Sequence, residues 1–94
     1  MELKNISARL TDKYGEVGSK SRQEFEQRAN AFFTGQIIEE ARKKANLTQE
    51  QLAERIGTNK SYISRVETGR TEPRVSTFYR IASALGMRVA FIPL

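Results

Sequence analysis

The chain contains no cysteine and no histidine. It therefore forms no disulfide, offers no thiol nucleophile, and lacks the commonest zinc ligands and the usual general base at neutral pH. Glutamate, lysine, tyrosine and serine remain, but no spacing among them suggests an acid–base pair, a nucleophile or a phosphate loop. An enzyme that merely contains the motif described below is thus the least favoured class. We expect no catalytic residue, no metal site and no cofactor.

Long apolar runs are also absent. No stretch approaches the roughly 20 residues of a membrane helix, and none resembles a signal peptide. We therefore expect no membrane partner and a place in the cytoplasm. The 94 residues carry a formal net charge of +5, which favours a polyanionic partner. Between residues 55 and 74, the two acidic residues Glu67 and Glu72 are outnumbered by basic ones: Arg55, Lys60, Arg65, Arg70 and Arg74.

Residues 48–67, TQEQLAERIGTNKSYISRVE, predict two short helices joined by a tight turn. Helices that cross steeply need a small residue where their backbones approach and a turn residue that tolerates positive φ. Ala53 and Gly57 meet these two needs. We expect the first helix from Gln49 to about Ile56 and the second, the recognition helix, from Lys60 to about Thr68. The caps and core positions fit as well: Thr48 with Gln51, Asn59, Leu52, Ile56, Ile63 and Val66.

The flanking segments predict two more helices. Ser21 and Glu24 fit a capping box that opens a long helix, with a bend or break at Thr34–Gly35. Its first half is an addition whose three phenylalanines pack on the same domain or a second subunit, or form an exposed partner site. A further helix from about Ser76 to Leu85 follows the loop that contains Pro73. We expect its buried residues to be Phe78, Ile81, Ala82 and Leu85.

The two ends of the chain differ from this helical part. Residues 1–20 form either a flexible terminus or a partner-binding segment, and residues 21–86 form the DNA-binding domain with its helical extension. Residues 87–94, MRVAFIPL, predict a short strand. A lone strand needs a partner for its backbone groups, so pairing across a twofold axis would make it a dimerisation strand. The alternative is a tail that packs Val89 and Phe91 on the core.

Residues 47–86, with LTQEQLAERIGTNKSYISRVETGRTEP and the later ALG, resemble the Xre/Cro/C1 class of helix-turn-helix proteins. The resemblance implies an all-α, phage-repressor-like helix-turn-helix domain, here with an added N-terminal helix and a short C-terminal β-strand. The strand, in place of the usual fifth helix, resembles antitoxins of the HipB and HigA type. The stretch KYGEVGSKSRQEFEQRANAFFTGQIIEEARKK is similar to the leader of HigA-like antitoxins, whose partners are RelE-like ribonuclease toxins.

The second helix of such a motif enters the major groove, and its N-terminal residues meet the base edges. The base-reading residues are therefore expected to be Lys60, Ser61, Ser64 and Arg65. The resemblance implies that Gln49 contacts the DNA backbone and that Arg42 pairs with Glu67 for structure. Tyr62 is either a backbone contact or a partly buried structural tyrosine, and Arg74 is either a backbone contact or a solvated charge. The remaining backbone contacts are Asn59, Thr68 and Arg70.

Two functions share this DNA-binding surface. The first is the antitoxin of a type II toxin–antitoxin system, a transcriptional repressor that autoregulates its operon and neutralises a RelE/HigB-like toxin. The second is a solitary Xre-family regulator or phage-type repressor without a toxin partner. Both predict a homodimer on double-stranded operator DNA with two half-sites about 34 Å apart.

Overall fold

A computed structural model describes residues 19–94 of the chain and shows four α-helices over that range. They are α1 (Lys20–Lys44), α2 (Gln49–Ile56), α3 (Lys60–Glu67) and α4 (Val75–Ala84). Contacts divide the chain into two units, Met1–Asn30 and Ala31–Leu94, with the boundary inside α1. Of the predicted N-terminal segment 1–20, all but the last two residues lie outside the described range. None of the described helices is long and apolar enough to cross a membrane.

The start of α1 differs from the sequence prediction. The helix begins at Lys20, so Ser21 lies within its first turn rather than at its cap. Ser19 takes the capping position, where its Oγ accepts a hydrogen bond of 3.3 Å from the Arg22 backbone N–H. Arg22 is buried, and its Nε donates to Glu26 at 2.9 Å one turn further along. The N-terminal cap is therefore displaced by two residues from the predicted one.

The predicted break at Thr34–Gly35 is wrong, because α1 continues unbroken through both residues. Gly35 is buried against the end of α3. A Cβ atom there would lie 2.5 Å from the Val66 carbonyl oxygen and closer still to that of Glu67. Glycine at this position allows the two helices to approach each other. The surrounding helix restricts the backbone conformations that glycine would otherwise adopt.

The helix-turn-helix elements confirm the predicted caps. The Gln51 backbone N–H donates to Thr48 Oγ1 at 3.0 Å, and the Thr48 N–H donates back to Gln51 Oε1 at 2.9 Å. Gly57 ends α2 with a φ of 79°, in the left-handed region that favours glycine. Asn59 Oδ1 accepts from the Tyr62 N–H at 2.8 Å and so caps α3. These local bonds explain why two helices of eight residues each begin and end where they do.

The core of the second unit lies where α1, α2, α3 and α4 meet. It confirms the apolar positions predicted for the motif, which are fully or almost fully buried. Of the residues predicted to be buried in and after α4, Ile81 and Ala82 are buried, whereas Phe78 and Leu85 are half-buried against the cluster. Burial of this apolar surface is the main stabilising term for the unit. The cluster consists of Ile38, Leu52, Ala53, Ile56, Ile63, Val66 and Ile81.

The predicted C-terminal strand is not formed, and residues 87–94 are neither helix nor strand. A strand requires a second extended backbone to bond with, whereas the described elements of this chain are all helical. The alternative, a tail packed on the core, is correct only in part. Val89 is half-buried and lines an apolar groove with Ile37 and Phe78, but Phe91 is 89% exposed.

Candidate nucleic-acid interface

The recognition helix α3 separates its side chains sharply between the core and the solvent. Its apolar residues, Ile63 and Val66, are buried, and so is Glu67, its only acidic residue. Its outward side therefore carries no negative charge. Three of the four predicted base-reading residues are exposed and the fourth is half-buried: Lys60, Ser61, Arg65 and, half-buried, Ser64.

Arg65 is partly organised by its neighbours on α3. Its Nη1 donates to Ser61 Oγ at 3.1 Å, one helical turn earlier. The centre of its guanidinium group lies 5.9 Å from the centroid of the Tyr62 ring, within the range of a cation–π contact. The Tyr62 ring itself is half-buried against the core. The arginine therefore extends across the exposed surface with several N–H donors still available for guanine O6 and N7 or for a phosphate.

The residues that flank α3 were predicted from the sequence to contact the DNA backbone. Asn59, Thr68 and Arg70 are exposed. Thr68 Oγ1 donates to the Ser64 carbonyl at 2.9 Å, so this hydroxyl is already used to close the helix. Asn59 Oδ1 is likewise used in the cap, which leaves its side-chain amide nitrogen as a donor. Asn59 and Arg70 are thus better suited than Thr68 to donate to phosphates.

The turn after α3 lies against α1. Gly69 has a φ of 77°, and a Cβ atom there would stand 3.0 Å from the backbone of Phe32. Positive φ and close approach therefore both favour glycine at this position. The Phe32 side chain is 49% exposed beside the turn that leads to Arg70. No sequence pattern indicates that this turn contacts the added first half of α1.

Arg74 lies in a polar cleft between the turn of the motif and the start of α4. Arg80 and Glu72 also line the cleft, and Arg80 Nη1 donates to the Ile56 carbonyl at 3.4 Å. Arg80 was not singled out from the sequence because nothing in its spacing distinguishes it from a solvated charge. The cleft thus adds the positive charges of Arg74 and Arg80 beside α3, and the negative charge of Glu72 partly offsets them.

Arg42 and Glu67 form a buried ion pair that joins α1 to the end of α3. Arg42 Nε donates to Glu67 Oε2 at 2.6 Å, and Nη2 donates to Oε1 at 3.1 Å. Arg42 Nη1 donates to the Leu47 carbonyl at 2.8 Å. The hydrogen bond with Glu67 raises the pKa of Arg42 above its usual range, although burial opposes that shift. Both side chains are almost fully removed from solvent.

The Gln49 side chain has a hydrogen-bond partner within the protein, unlike a side chain that serves only as a phosphate ligand. It is half-buried at the start of α2, and its Nε2 donates to Glu67 Oε1 at 3.0 Å. The ion pair is therefore a three-residue network that connects α1, α2 and α3. No sequence pattern indicates this third member, since residues 49 and 67 are 18 positions apart and belong to different helices.

Comparison with known proteins agrees with this geometry. The profile of the helix-turn-helix family matches residues 38–92, which is more than half of the chain. The immunity repressor protein of Bacillus phage phi105 is 43% identical over 58 residues, which cover 62% of this chain and 40% of the repressor. The chain thus matches less than half of that relative's length. An uncharacterized HTH-type transcriptional regulator of Methanothermobacter thermautotrophicus is 48% identical over 50 residues, covering 53% of this chain and 72% of the regulator.

A solved structure shows the same arrangement. The restriction-modification controller protein C.AhdI from Aeromonas hydrophila superposes with a TM-score of 0.63 and 31% sequence identity. The match covers 66% of this chain and 90% of the controller protein. Sequence profile, relatives and fold therefore all indicate one assignment. The chain belongs to the helix-turn-helix family, of the Xre/Cro/C1 type.

Proposed function

We propose that this DNA-binding transcriptional regulator represses transcription as a homodimer on a palindromic operator. The observation that carries the proposal is the division of α3, which buries its apolar residues and its only carboxylate and exposes a cationic side. In the proposed complex, Lys60 and Arg65 donate to guanine edges, and Ser61 and Ser64 donate or accept. Asn59 and Arg70 contact the DNA backbone at the two ends of α3.

Dimerisation follows from the small size of this surface. One helix of eight residues reads only a few base pairs, so two copies on half-sites about 34 Å apart give a useful specificity. We propose that residues 87–94 pack against a second copy of the chain, since Phe91, Ile92 and Leu94 are almost fully exposed in the single chain. Removal of residues 87–94 is then expected to convert a dimer to a monomer in light scattering. A truncated chain that remains dimeric would exclude this interface.

The DNA-binding proposal is tested by selecting duplexes from a random library with the wild-type protein. Lys60→Ala and Arg65→Ala are expected to change the preferred bases. Arg70→Ala is expected to weaken binding to all duplexes alike and to reduce the dependence of affinity on salt. Lys44→Ala, at an exposed lysine of α1, is the matched control for loss of one positive charge. An asymmetric selected site, or affinity insensitive to salt, would contradict the proposal.

An antitoxin role is the second candidate. Exposed apolar side chains support it, because Phe32 on α1 and the C-terminal residues offer surface to a protein partner as well as to a second copy. The partner would be a RelE/HigB-like toxin. The similarity of residues 13–44 to the leader of HigA-like antitoxins favours the same role.

The two roles are separated by purifying the tagged chain from its native host with the locus intact. A stoichiometric small partner that halts growth when expressed alone would support the antitoxin. Deletion of residues 1–20 should then abolish neutralisation and preserve DNA binding. A homodimer that retains DNA and no second protein would favour a solitary repressor of the phage type.

A further inference from the structure

We propose that Glu67 is a positioning residue for DNA binding: it holds the Gln49 amide so that one N–H remains directed at a DNA phosphate. The proposal rests on DNA binding through α2 and α3. It assigns to the buried Arg42–Glu67 pair a role in recognition as well as in folding.

The chemistry of the carboxylate fixes the orientation of the Gln49 amide. Glu67 is 1% exposed and its ionised carboxylate can only accept hydrogen bonds. Its Oε2 accepts from Arg42, and its Oε1 accepts from both Arg42 and Gln49. The Gln49 atom that faces Glu67 must therefore be the nitrogen, since two acceptor oxygens at 3.0 Å would repel each other. This one contact therefore determines which end of the Gln49 amide faces Glu67.

The second hydrogen on Gln49 Nε2 is the functional group in this arrangement. An amide nitrogen carries two N–H donors, and Glu67 occupies one. Gln49 is the first residue of α2 and is only half-buried. The remaining N–H therefore stands beside the unpaired backbone donors and the positive dipole end of the helix, where an anion is favoured. A phosphate there would receive one side-chain hydrogen bond and those of the Gln49 and Glu50 backbone N–H groups, since the capping box already occupies the Gln51 N–H.

Arg42 ties the same end of α2 from the other direction. Its Nη1 bond to the Leu47 carbonyl fixes the chain two residues before Gln49, while its other donors hold Glu67 at the end of α3. One buried pair thus sets the start of α2 relative to the recognition helix. Phosphate contacts fix the register of a protein on the duplex, so this placement sets where the base-reading side chains of α3 arrive.

A role of the Arg42–Glu67 pair in folding alone leads to a different expectation for DNA affinity. If Arg42 and Glu67 served folding alone, the contribution of Gln49 to DNA affinity would be the same whether or not the pair is present. If Glu67 positions Gln49, that contribution depends on the pair. A double-mutant cycle on DNA affinity measures this coupling directly.

The cycle uses Gln49→Ala, the apolar replacement Arg42→Met/Glu67→Leu, and the triple variant. Replacing both charges leaves the net charge unchanged, and such replacements often preserve stability. Affinities are measured on the tightest duplex selected by the wild-type protein, with every variant verified as folded by circular dichroism. We expect Gln49→Ala to weaken binding about two- to tenfold in the wild-type background. In the apolar background we expect the same substitution to weaken binding less than about twofold.

Gln36→Ala, at an exposed glutamine of α1, is the control and should leave affinity unchanged. Equal losses from Gln49→Ala in both backgrounds, or no loss in either, would overturn the proposal. Should Arg42→Met/Glu67→Leu fail to fold, a second apolar pair, Arg42→Leu/Glu67→Met, replaces it in the same cycle and is judged by the same coupling. A wild-type protein that binds no selected duplex would instead refute the proposed function.

The Gln49 side-chain amide supplies a second readout that needs no DNA. In the free wild-type protein its two N–H signals should be distinct and motionally restricted in NMR. In the Arg42→Met/Glu67→Leu variant they should become mobile while the backbone signals of α2 stay ordered. Unchanged amide dynamics in that variant would show that Glu67 does not hold Gln49.

Discussion

Replacing Gly35 by alanine should destabilise the domain, although alanine favours helices. In an exposed helix the change would stabilise by about 1 kcal/mol. At this position the new Cβ would collide with the carbonyl oxygens of Val66 and Glu67, which are backbone atoms and cannot rotate away. Overpacking of this kind costs about 1–3 kcal/mol and occasionally more. Because the obstacle is backbone, we expect the upper part of that range or beyond, and a net loss of about 1–3 kcal/mol.

The assay is urea unfolding followed by helical circular dichroism, with the midpoint and the slope m fitted separately. For a domain of this size the expected loss lowers Tm by about 4–8 °C per kcal/mol. Gln36→Ala is the control for adding an alanine to this part of α1, and its free energy of unfolding should be nearly unchanged. Gly57→Ala separates strain from collision, since nothing lies within 4 Å of its missing Cβ and only its φ of 79° is unfavourable. A Gly35→Ala variant as stable as the wild type would refute the close approach of α1 and α3.

Three other changes test the remaining contacts. Thr48→Ala removes the capping box of α2 and should lower the free energy of unfolding by about 0.5–2 kcal/mol in the same urea assay. Arg42→Met leaves the Glu67 carboxylate buried without its cation and should cost about 3–5 kcal/mol, whereas loss below 1 kcal/mol would show that the pair is not buried. Lys43 lowers the pKa of Glu39 below its ordinary value of 4.5. That pair therefore stabilises the fold above about pH 4.5, and the contribution is lost as the pH falls through the lowered pKa. NMR titration of Lys43→Gln should show the pKa of Glu39 rising toward 4.5, and an unchanged pKa would exclude the contact.

Local signals explain what could be predicted from the sequence. Caps, turn glycines and apolar spacing each involve residues a few positions apart, so Thr48, Gly57 and Asn59 were assigned correctly. Ser21 was misassigned as a cap because Ser19 offers the same chemistry two residues earlier, and the pattern does not separate them.

Contacts between residues that are distant in the sequence explain which features could not be predicted from it. Glycine in a helix is usually a weak point, and only the neighbouring α3 shows that Gly35 permits a close approach. The bond from Gln49 to Glu67 depends on how three helices meet. The terminal strand was inferred from composition, but strand formation depends on a partner that a single chain does not supply.

The division of α3 has a consequence for how such proteins diversify. The residues that hold the helix in place, Ile63, Val66 and Glu67, are different from those that face outward, Lys60 and Arg65. Substitutions at exposed positions away from special contacts usually change stability by no more than about 0.5 kcal/mol. If these outward residues read the operator as proposed, a gene encoding this chain could acquire a new operator by changing them one at a time, without passing through an unfolded intermediate. The buried residues that maintain the fold would then stay the same while the DNA sequence that the protein binds changes.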